Sequence, residues 1–201
     1  MTNRHALVAT LFVKAALVGL LLFAVARPDL PQFHGKAIAG RAIAYPLAVL
    51  IVPGVWWLLR RRGRAGDYPY AVDILVALPF LIDTAGNAAN AYDTINHWDD
   101  ANHFVNWLIL ATGFGLFLMR QPLSKRAVAA HAIGFGAVTA ILWELMEYET
   151  FIKHSKELKT AYRDTLGGLT LGLSGSIVAA VLLTTVLWPR TAPAVRAVPA
   201  A

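Results

Sequence analysis

Acidic residues and histidines occur in the apolar segments of this sequence at spacings that would bring several of them together. Glu144 and Glu147 are three residues apart near the end of one segment, and Asp100 and His103 have the same spacing at the start of the segment before it. Residues three apart lie on one face of a helix, and carboxylate and imidazole groups at this spacing bind divalent metals in helical bundles. The pattern predicts a divalent metal cation held by Asp100, His103, Glu144, Glu147 and Asp164.

A second set of polar residues lies within one or two helical turns of these ligands or at the same end of a neighbouring segment. Because a carboxylate inside an apolar segment needs a proton, a cation or several hydrogen-bond donors, these residues indicate a site rather than isolated surface positions. We expect the following to support the metal site: Asp83, Asn87, Asp99, Asn106 and Tyr148.

Structural roles explain some of the same residues. Aspartate is favoured at a helix start, as a cap and by the helix dipole, so one of Asp99 and Asp100 needs no ligand role. Asp164 or Thr165 would cap its segment in the same way. Asn87 would serve equally well as a hydrogen-bonding contact between helices. The cap does not account for the second aspartate or for His103, which leaves the metal hypothesis open.

The composition identifies the class of protein that must position these residues. Of the 201 residues, 57% are hydrophobic and only 15% are charged, against about 25% in soluble domains. Apolar runs of about 20 residues, each long enough to span a bilayer as a helix, recur along the chain. The chain lacks cysteine, which excludes disulfides and thiolate metal ligands. The sequence therefore predicts an all-α, polytopic transmembrane helix bundle.

Six spans and a short tail account for the whole chain as one helical domain. Pro and Ala dominate residues 189–201, so we expect that tail to be disordered. Within the first span, Ala24 to Ala26 also resembles a signal-peptide cleavage site, an alternative that would remove this span. The predicted spans are residues 6–26, 42–59, 70–92, 101–119, 127–148 and 165–188.

Charge in the loops predicts the orientation. Ten Lys and Arg residues fall on the side of the two termini and seven on the other, which favours cytoplasmic termini. The loop from Asp93 to Asp100 contains no Lys or Arg, so the polar cluster would face outward. The net charge of +6 lies mainly in these short loops, which indicates membrane topology rather than nucleic-acid binding. We expect membrane lipids as partners, with a membrane-protein partner or a second copy as further candidates.

Two further expectations concern packing. Gly168, Gly172 and Gly175 form a small-residue face on the last span, a pattern that allows close helix contact. Asp73 lies near the inner end of the third span, where we expect it to pair with the arginines that follow Leu59.

Several short motifs resemble the YjdF-like family of bacterial inner-membrane proteins. They are the Asp-x-x-x-His pattern from Asp99 to His103, Glu144-Leu-Met-Glu147, and Tyr162-Arg-Asp-Thr165 followed by a glycine-rich span. A second aspartate, often found shortly after the Asp-Thr pair in that family, is replaced here by glycine. A fainter likeness to VanZ-like proteins rests on acidic residues at helix starts. The resemblance implies the fold and an inner-membrane location, but brings no settled biochemical activity.

Three functions are compatible with this pattern. The first is a metal-dependent hydrolase or transferase acting on lipid or envelope substrates, with water as nucleophile, since no Ser, Cys or Lys nucleophile occurs at that depth. The second is a non-catalytic accessory subunit of a larger membrane complex. The third, a cation- or proton-coupled transporter, is disfavoured because the inner halves of the third to fifth spans are apolar.

A cysteine introduced at Asn96 tests the orientation. Because the chain has no other cysteine, the variant carries a single thiol in the loop between the third and fourth spans. We expect it to react with a membrane-impermeant thiol reagent in intact cells. Labelling only after lysis would reverse the predicted orientation.

Overall fold

The computed structural model describes residues 3–150 and 152–189, and over these residues it contains α-helices and short 3₁₀ turns but no strand. The 3₁₀ turns are Pro31–Phe33, Ile152–His154 and Lys156–Lys159. The α-helices are α1 (Asn3–Ala26), α2 (Ile38–Val49), α3 (Ile51–Arg61), α4 (Tyr70–Ala88), α5 (Ala91–Thr94), α6 (Trp98–Leu118), α7 (Lys125–Thr150) and α8 (Ala161–Thr185).

Six segments of the described chain are long and apolar enough to cross a membrane. Helices α1, α4, α6 and α8 each form one, α2 and α3 together form another, and α7 with the following 3₁₀ turn forms the sixth. The predicted all-α bundle with six spans is therefore confirmed. Of the predicted tail, residues 190–201 lie outside the described residues.

The second predicted span, residues 42–59, is not one continuous helix. Helix α2 ends at Val49 and α3 begins at Ile51, with Leu50 between them. Pro53 explains the break, because it has no N–H to donate and its ring would clash with the carbonyl of Val49 in a continuous helix. The Gly54 amide resumes the helical pattern with a hydrogen bond to the Leu50 carbonyl at 2.9 Å.

The helix ends on either side of the acidic loop also differ from prediction. Helix α4 stops at Ala88 instead of continuing to Tyr92, because Asn90 adopts a left-handed conformation with φ 58°. His97, with φ 61°, turns the chain again, so that α6 starts at Trp98, three residues before the predicted start. Asp99 and Asp100 therefore lie in the first turn of α6 rather than before it.

Helix α8 packs most extensively against α6 and α7, as its glycines predicted. A Cβ at Gly175 would lie 2.3 Å from the Phe104 carbonyl oxygen, and one at Gly136 would lie 1.8 Å from Ser176 Oγ. Such contacts require residues without side chains at these crossings. The three helices form one closely packed half of the bundle.

The other half is formed by α1 to α4 and joins the first through contacts between α4 and α6. Its core includes Leu17 and Leu21 from α1, Tyr45 and Val49 from α2 and Ala77 from α4. Helix α1 is thus an integral part of the packed structure. The outward faces carry exposed apolar side chains, as contact with lipid requires.

A buried ion pair fixes α1 against α4. Lys14 Nζ lies 2.8 Å from the Asp73 carboxylate, which is only 1% exposed. The Tyr68 hydroxyl donates to the same carboxylate at 2.6 Å, and burial raises the pKa of this phenol, which favours its role as donor. The expectation that Asp73 pairs with the arginines after Leu59 is wrong, because Lys14 reaches it from the neighbouring helix.

Replacing Lys14 with Met should destabilise the fold strongly. It leaves the Asp73 carboxylate buried without its cation, a loss of about 3–5 kcal/mol in unfolding free energy. The double variant K14M/D73N should recover most of that loss. As a control, K36M removes an ion pair with Asp93, which is 47% exposed, and should cost less than about 1 kcal/mol. Thermal unfolding in detergent measures both, and equal losses in K14M and K36M would contradict the role of the pair.

Candidate metal centre

Helices α6 and α7 bring one histidine and two glutamates together. One ligand atom from each of His103, Glu144 and Glu147 lies within 4.8 Å of the others. His103 Nδ1 is 3.7 Å from Glu144 Oε1. His103 and Glu144 are buried, and Glu147 is partly buried. These are three of the five residues that the sequence predicted as metal ligands.

Gly168 of α8 makes room for this cluster. A Cβ at this position would lie 2.0 Å from Glu144 Oε1 and 2.8 Å from His103 Cε1. Any larger residue would therefore displace the two side chains. The glycine-rich start of α8 has a direct role in the site as well as in helix packing.

The His103 ring is held in place but keeps an unpartnered nitrogen. It stacks on Trp107 with ring centroids 5.6 Å apart and an interplanar angle of 15°. Its Nε2 lies 3.6 Å from Asp99 Oδ2. Its Nδ1 is buried and has no hydrogen-bond partner. A buried polar atom without a partner costs free energy, and His103 Nδ1 is therefore available to a further group.

The size of the cluster suits a metal ion. Three atoms within 4.8 Å of one another all lie within about 2.8 Å of a common point, against metal–ligand distances of about 2.0–2.6 Å. A contraction of less than one ångström would bring all three into coordination. Imidazole and carboxylate together suit divalent zinc, iron or manganese.

The other two predicted ligands lie outside this group. Asp100 is exposed, and its carboxylate lies 2.9 Å from Nδ1 of His97, the residue at which the chain turns into α6. Asp164 is exposed in the first turn of α8. The aspartate nearest to His103 is Asp99, which the sequence predicted only as a supporting residue. Tyr148, also predicted to support the site, is 42% exposed.

Asp83 is the centre of a separate buried network. Its carboxylate accepts hydrogen bonds from Arg41 Nε at 2.9 Å and Nη2 at 3.3 Å. The hydroxyls of Tyr45 and Tyr92 donate to it at 2.6 and 2.7 Å. Burial raises the pKa of Tyr92, and the carboxylate raises it further, so the phenol remains a donor. Asp83 is thus fully satisfied by a cation and two hydroxyls.

Asparagines connect this network to the histidine helix. Asn87 Nδ2 donates to the Asp83 carbonyl at 2.9 Å, within its own helix. Asn102 Nδ2 donates to the Tyr92 hydroxyl at 3.1 Å, and Asn106 Nδ2 donates to Asn102 Oδ1 at 3.2 Å. The Asn106 amide oxygen is buried and unpartnered. The polar side chains therefore extend from Asp83 to the face of α6 that carries His103.

A cavity of about 530 Å³ lies between α2, α3 and α4 on one side and α6 and α7 on the other. The end of the cavity near the start of α6 is polar and contains Asp99, His103, Asn106 and Glu147. Its middle is lined by apolar side chains, and its opposite end reaches Arg64 and Arg120. The candidate ligands His103 and Glu147 thus border a chamber large enough for a small molecule.

Sequence reasoning overlooked Arg41, Tyr45, Tyr92 and Gly168. Arg41 directly precedes the predicted second span, residues 42–59, whereas it lies in the first turn of α2. Its position in the sequence, at the same depth as Asp83, could have indicated that the two residues pair. Tyr45 follows Arg41 by one helical turn and therefore lies on the same face. Gly168 gave no signal beyond helix packing, because its contacts come from two other helices.

Gly168→Ala and Gly167→Ala form a matched test of the site geometry. The first adds a methyl group against Glu144 and His103, whereas the Cβ of the second would have only an ordinary 4.0 Å contact with Asp100. We expect G168A to lower the unfolding free energy by about 1–3 kcal/mol and G167A to leave it unchanged or raise it slightly. Thermal unfolding of both variants in one detergent gives the comparison, and equal stability would contradict the close contact.

The comparison with known proteins agrees with the fold. The family described as "Predicted membrane protein (DUF2238)" matches residues 9–189, nearly the whole chain. No curated protein and no solved structure matches this sequence. The match includes every helix that contributes to the His103 cluster. The chain therefore belongs to the DUF2238 family of predicted membrane proteins.

Proposed function

We propose that this integral membrane protein binds a divalent cation through His103, Glu144 and Glu147. The observation that supports the proposal is the convergence of three ligand atoms around a buried, unpartnered His103 Nδ1. Among the described residues, neither Glu144 nor Glu147 forms an ion pair with a lysine or arginine. A cation would supply the missing positive charge and use the free nitrogen.

The function that best fits such a centre is a metal-dependent hydrolase or transferase acting on lipid or envelope substrates. A divalent cation lowers the pKa of a bound water and polarises a substrate oxygen. Three protein ligands leave coordination positions open for both, as in other catalytic metal sites. Asp99 would orient His103 through Nε2, from which its carboxylate oxygen is 3.6 Å away.

The proposed location is the bacterial inner membrane, with both termini in the cytoplasm and the metal centre near the outer interface. The charge of the loops supports this orientation, since Arg60 to Arg64 follow the second span and the loop before α6 has no basic residue. The resemblance to YjdF-like and VanZ-like proteins supports the location but supplies no activity. The substrate would then reach the site from the membrane or from its outer face.

A non-catalytic subunit of a larger membrane complex is the second candidate. The Asp83 network favours it, because Arg41, Tyr45 and Tyr92 satisfy that carboxylate entirely within the protein. Polar groups that satisfy one another would need no ligand. Transport of cations is less favoured, because the inner part of the cavity is lined by apolar side chains such as Phe114 and Phe135.

Metal analysis of the purified protein tests the proposal. Wild-type protein isolated without chelator should contain close to one divalent ion per chain, and E144Q should reduce metal affinity about tenfold or more. EDTA should lower the melting temperature of the wild type, since a ligand at about 100 times its Kd adds about 2.7 kcal/mol of stability.

The matched control is E149Q on the same helix, where Glu149 is exposed and pairs with Lys153. This variant should keep its metal and its response to EDTA. If no metal copurifies with the wild type and chelator leaves its melting temperature unchanged, the metal proposal fails and the accessory-subunit function replaces it.

A further inference from the structure

We infer that the 530 Å³ cavity binds one hydrocarbon chain of a membrane lipid, with the lipid head group at the His103 end. The inference narrows the substrates of the proposed function to membrane lipids, and it rests on that function for the role of the head-group site. The binding of a hydrocarbon chain is supported independently of that function by the walls, the length and the side opening of the cavity.

The walls are suited to a hydrocarbon chain. Helix α4 contributes Val76 and Phe80, α6 contributes Leu110 and Phe114, and α7 contributes Phe135. Water is a poor occupant of such a space, because each water needs two to four polar partners. A hydrocarbon chain would gain dispersion contacts with all of these side chains.

The length of the cavity matches a lipid chain that runs across the membrane. Its lining on α6 extends from Asp99 to Phe117, a rise of about 27 Å at 1.5 Å per residue. The hydrocarbon core of a bilayer is about 30 Å thick. A chain held in the cavity would therefore lie roughly parallel to the spans, as the chains of bilayer lipids do.

The cavity is open on the side of α3. Ile51 and Val55 of this helix line the cavity but are 57% and 41% exposed. Helix α3 packs against α2 and α4, whereas α7 on the opposite wall packs against α6 and α8. The apolar edge between α3 and α7 gives a lipid chain a route from the bilayer that avoids water.

The outer end is suited to a polar head group. His103 Nδ1 and the Asn106 amide oxygen are both buried without a partner, on side chains that are 6% and 9% exposed and line the cavity. A head group with hydroxyl or phosphate oxygens would occupy the same end as the proposed cation. At the opposite end, Arg120 is exposed and already donates to the Asp67 carbonyl.

Photolabelling tests chain binding directly. The probe is phosphatidylglycerol with a diazirine on one acyl chain, incorporated into phosphatidylethanolamine nanodiscs that hold the full chain. A diazirine at the chain terminus should form adducts with Phe114 or Phe117, and one near the ester should form them with Asn106 or Trp107. Adducts confined to outward-facing residues such as Leu142 would overturn the inference, and the reverse order along α6 would overturn the assignment of the head group.

Two cavity-filling variants provide the specificity test. Leu110→Trp and Val76→Phe narrow the chamber from opposite walls and should abolish cavity adducts. Leu142→Trp, at a position 59% exposed on α7, is the control and should leave them unchanged. If Leu110→Trp and Val76→Phe both fold and their cavity residues are still labelled as in the wild type, the cavity is not the binding site of the hydrocarbon chain.

The same measurements separate this inference from the metal proposal. E144Q should lose metal yet retain chain adducts, because its side chain does not line the cavity. Conversely, the filling variants should retain metal, since they leave His103, Glu144 and Glu147 unaltered. Chain adducts in a wild-type protein that binds no metal would refute the proposed function alone.

Discussion

Charged side chains inside a bilayer must be matched by opposite charge or by hydrogen-bond donors, because an unmatched charge in hydrocarbon costs several kcal/mol. The buried acidic groups of this protein meet that requirement in different ways. Asp73 is matched by Lys14, and Asp83 is matched by Arg41 and two tyrosines. In the described structure, Glu144 with Glu147 has no lysine or arginine partner; His103 lies 3.7 Å from Glu144, and Thr165 is a hydrogen-bond partner of Glu144.

These matches organise the bundle. The Lys14–Asp73 pair joins α1 to α4, and the Arg41–Asp83 pair joins α2 to α4, so the first half of the bundle is held by charge at two depths. The second half is held by the close contacts of glycines on α8 with α6 and α7. The cavity and the His103 cluster lie where the two halves meet. The same packing that brings α8 close to α7 leaves space for the Glu144 carboxylate only because residue 168 is glycine.

The sequence predicted the helices well because long apolar runs determine membrane spans with little help from tertiary contacts. It also predicted that His103, Glu144 and Glu147 would lie close together, since their spacing places them on helix faces at a common depth. It did not predict which charges pair, because Lys14 and Asp73 are 59 residues apart and meet only after α1 and α4 have packed. Spacing alone could not choose between Asp99 and Asp100, since both lie within one turn of His103. In the structure, the chain turns at His97, which has a positive φ, and Asp99 is the aspartate that lies beside His103.

We propose that a cation completes the group of Glu144 and Glu147, which has no lysine or arginine partner among the described residues. An anomalous difference map from crystals of protein loaded with zinc or manganese, recorded at the absorption edge of that metal, tests it most directly. We expect one peak about 2.0–2.6 Å from ligand atoms of His103, Glu144 and Glu147. A well-ordered site without a peak, or with a lysine or arginine side chain paired to both glutamates, would contradict it.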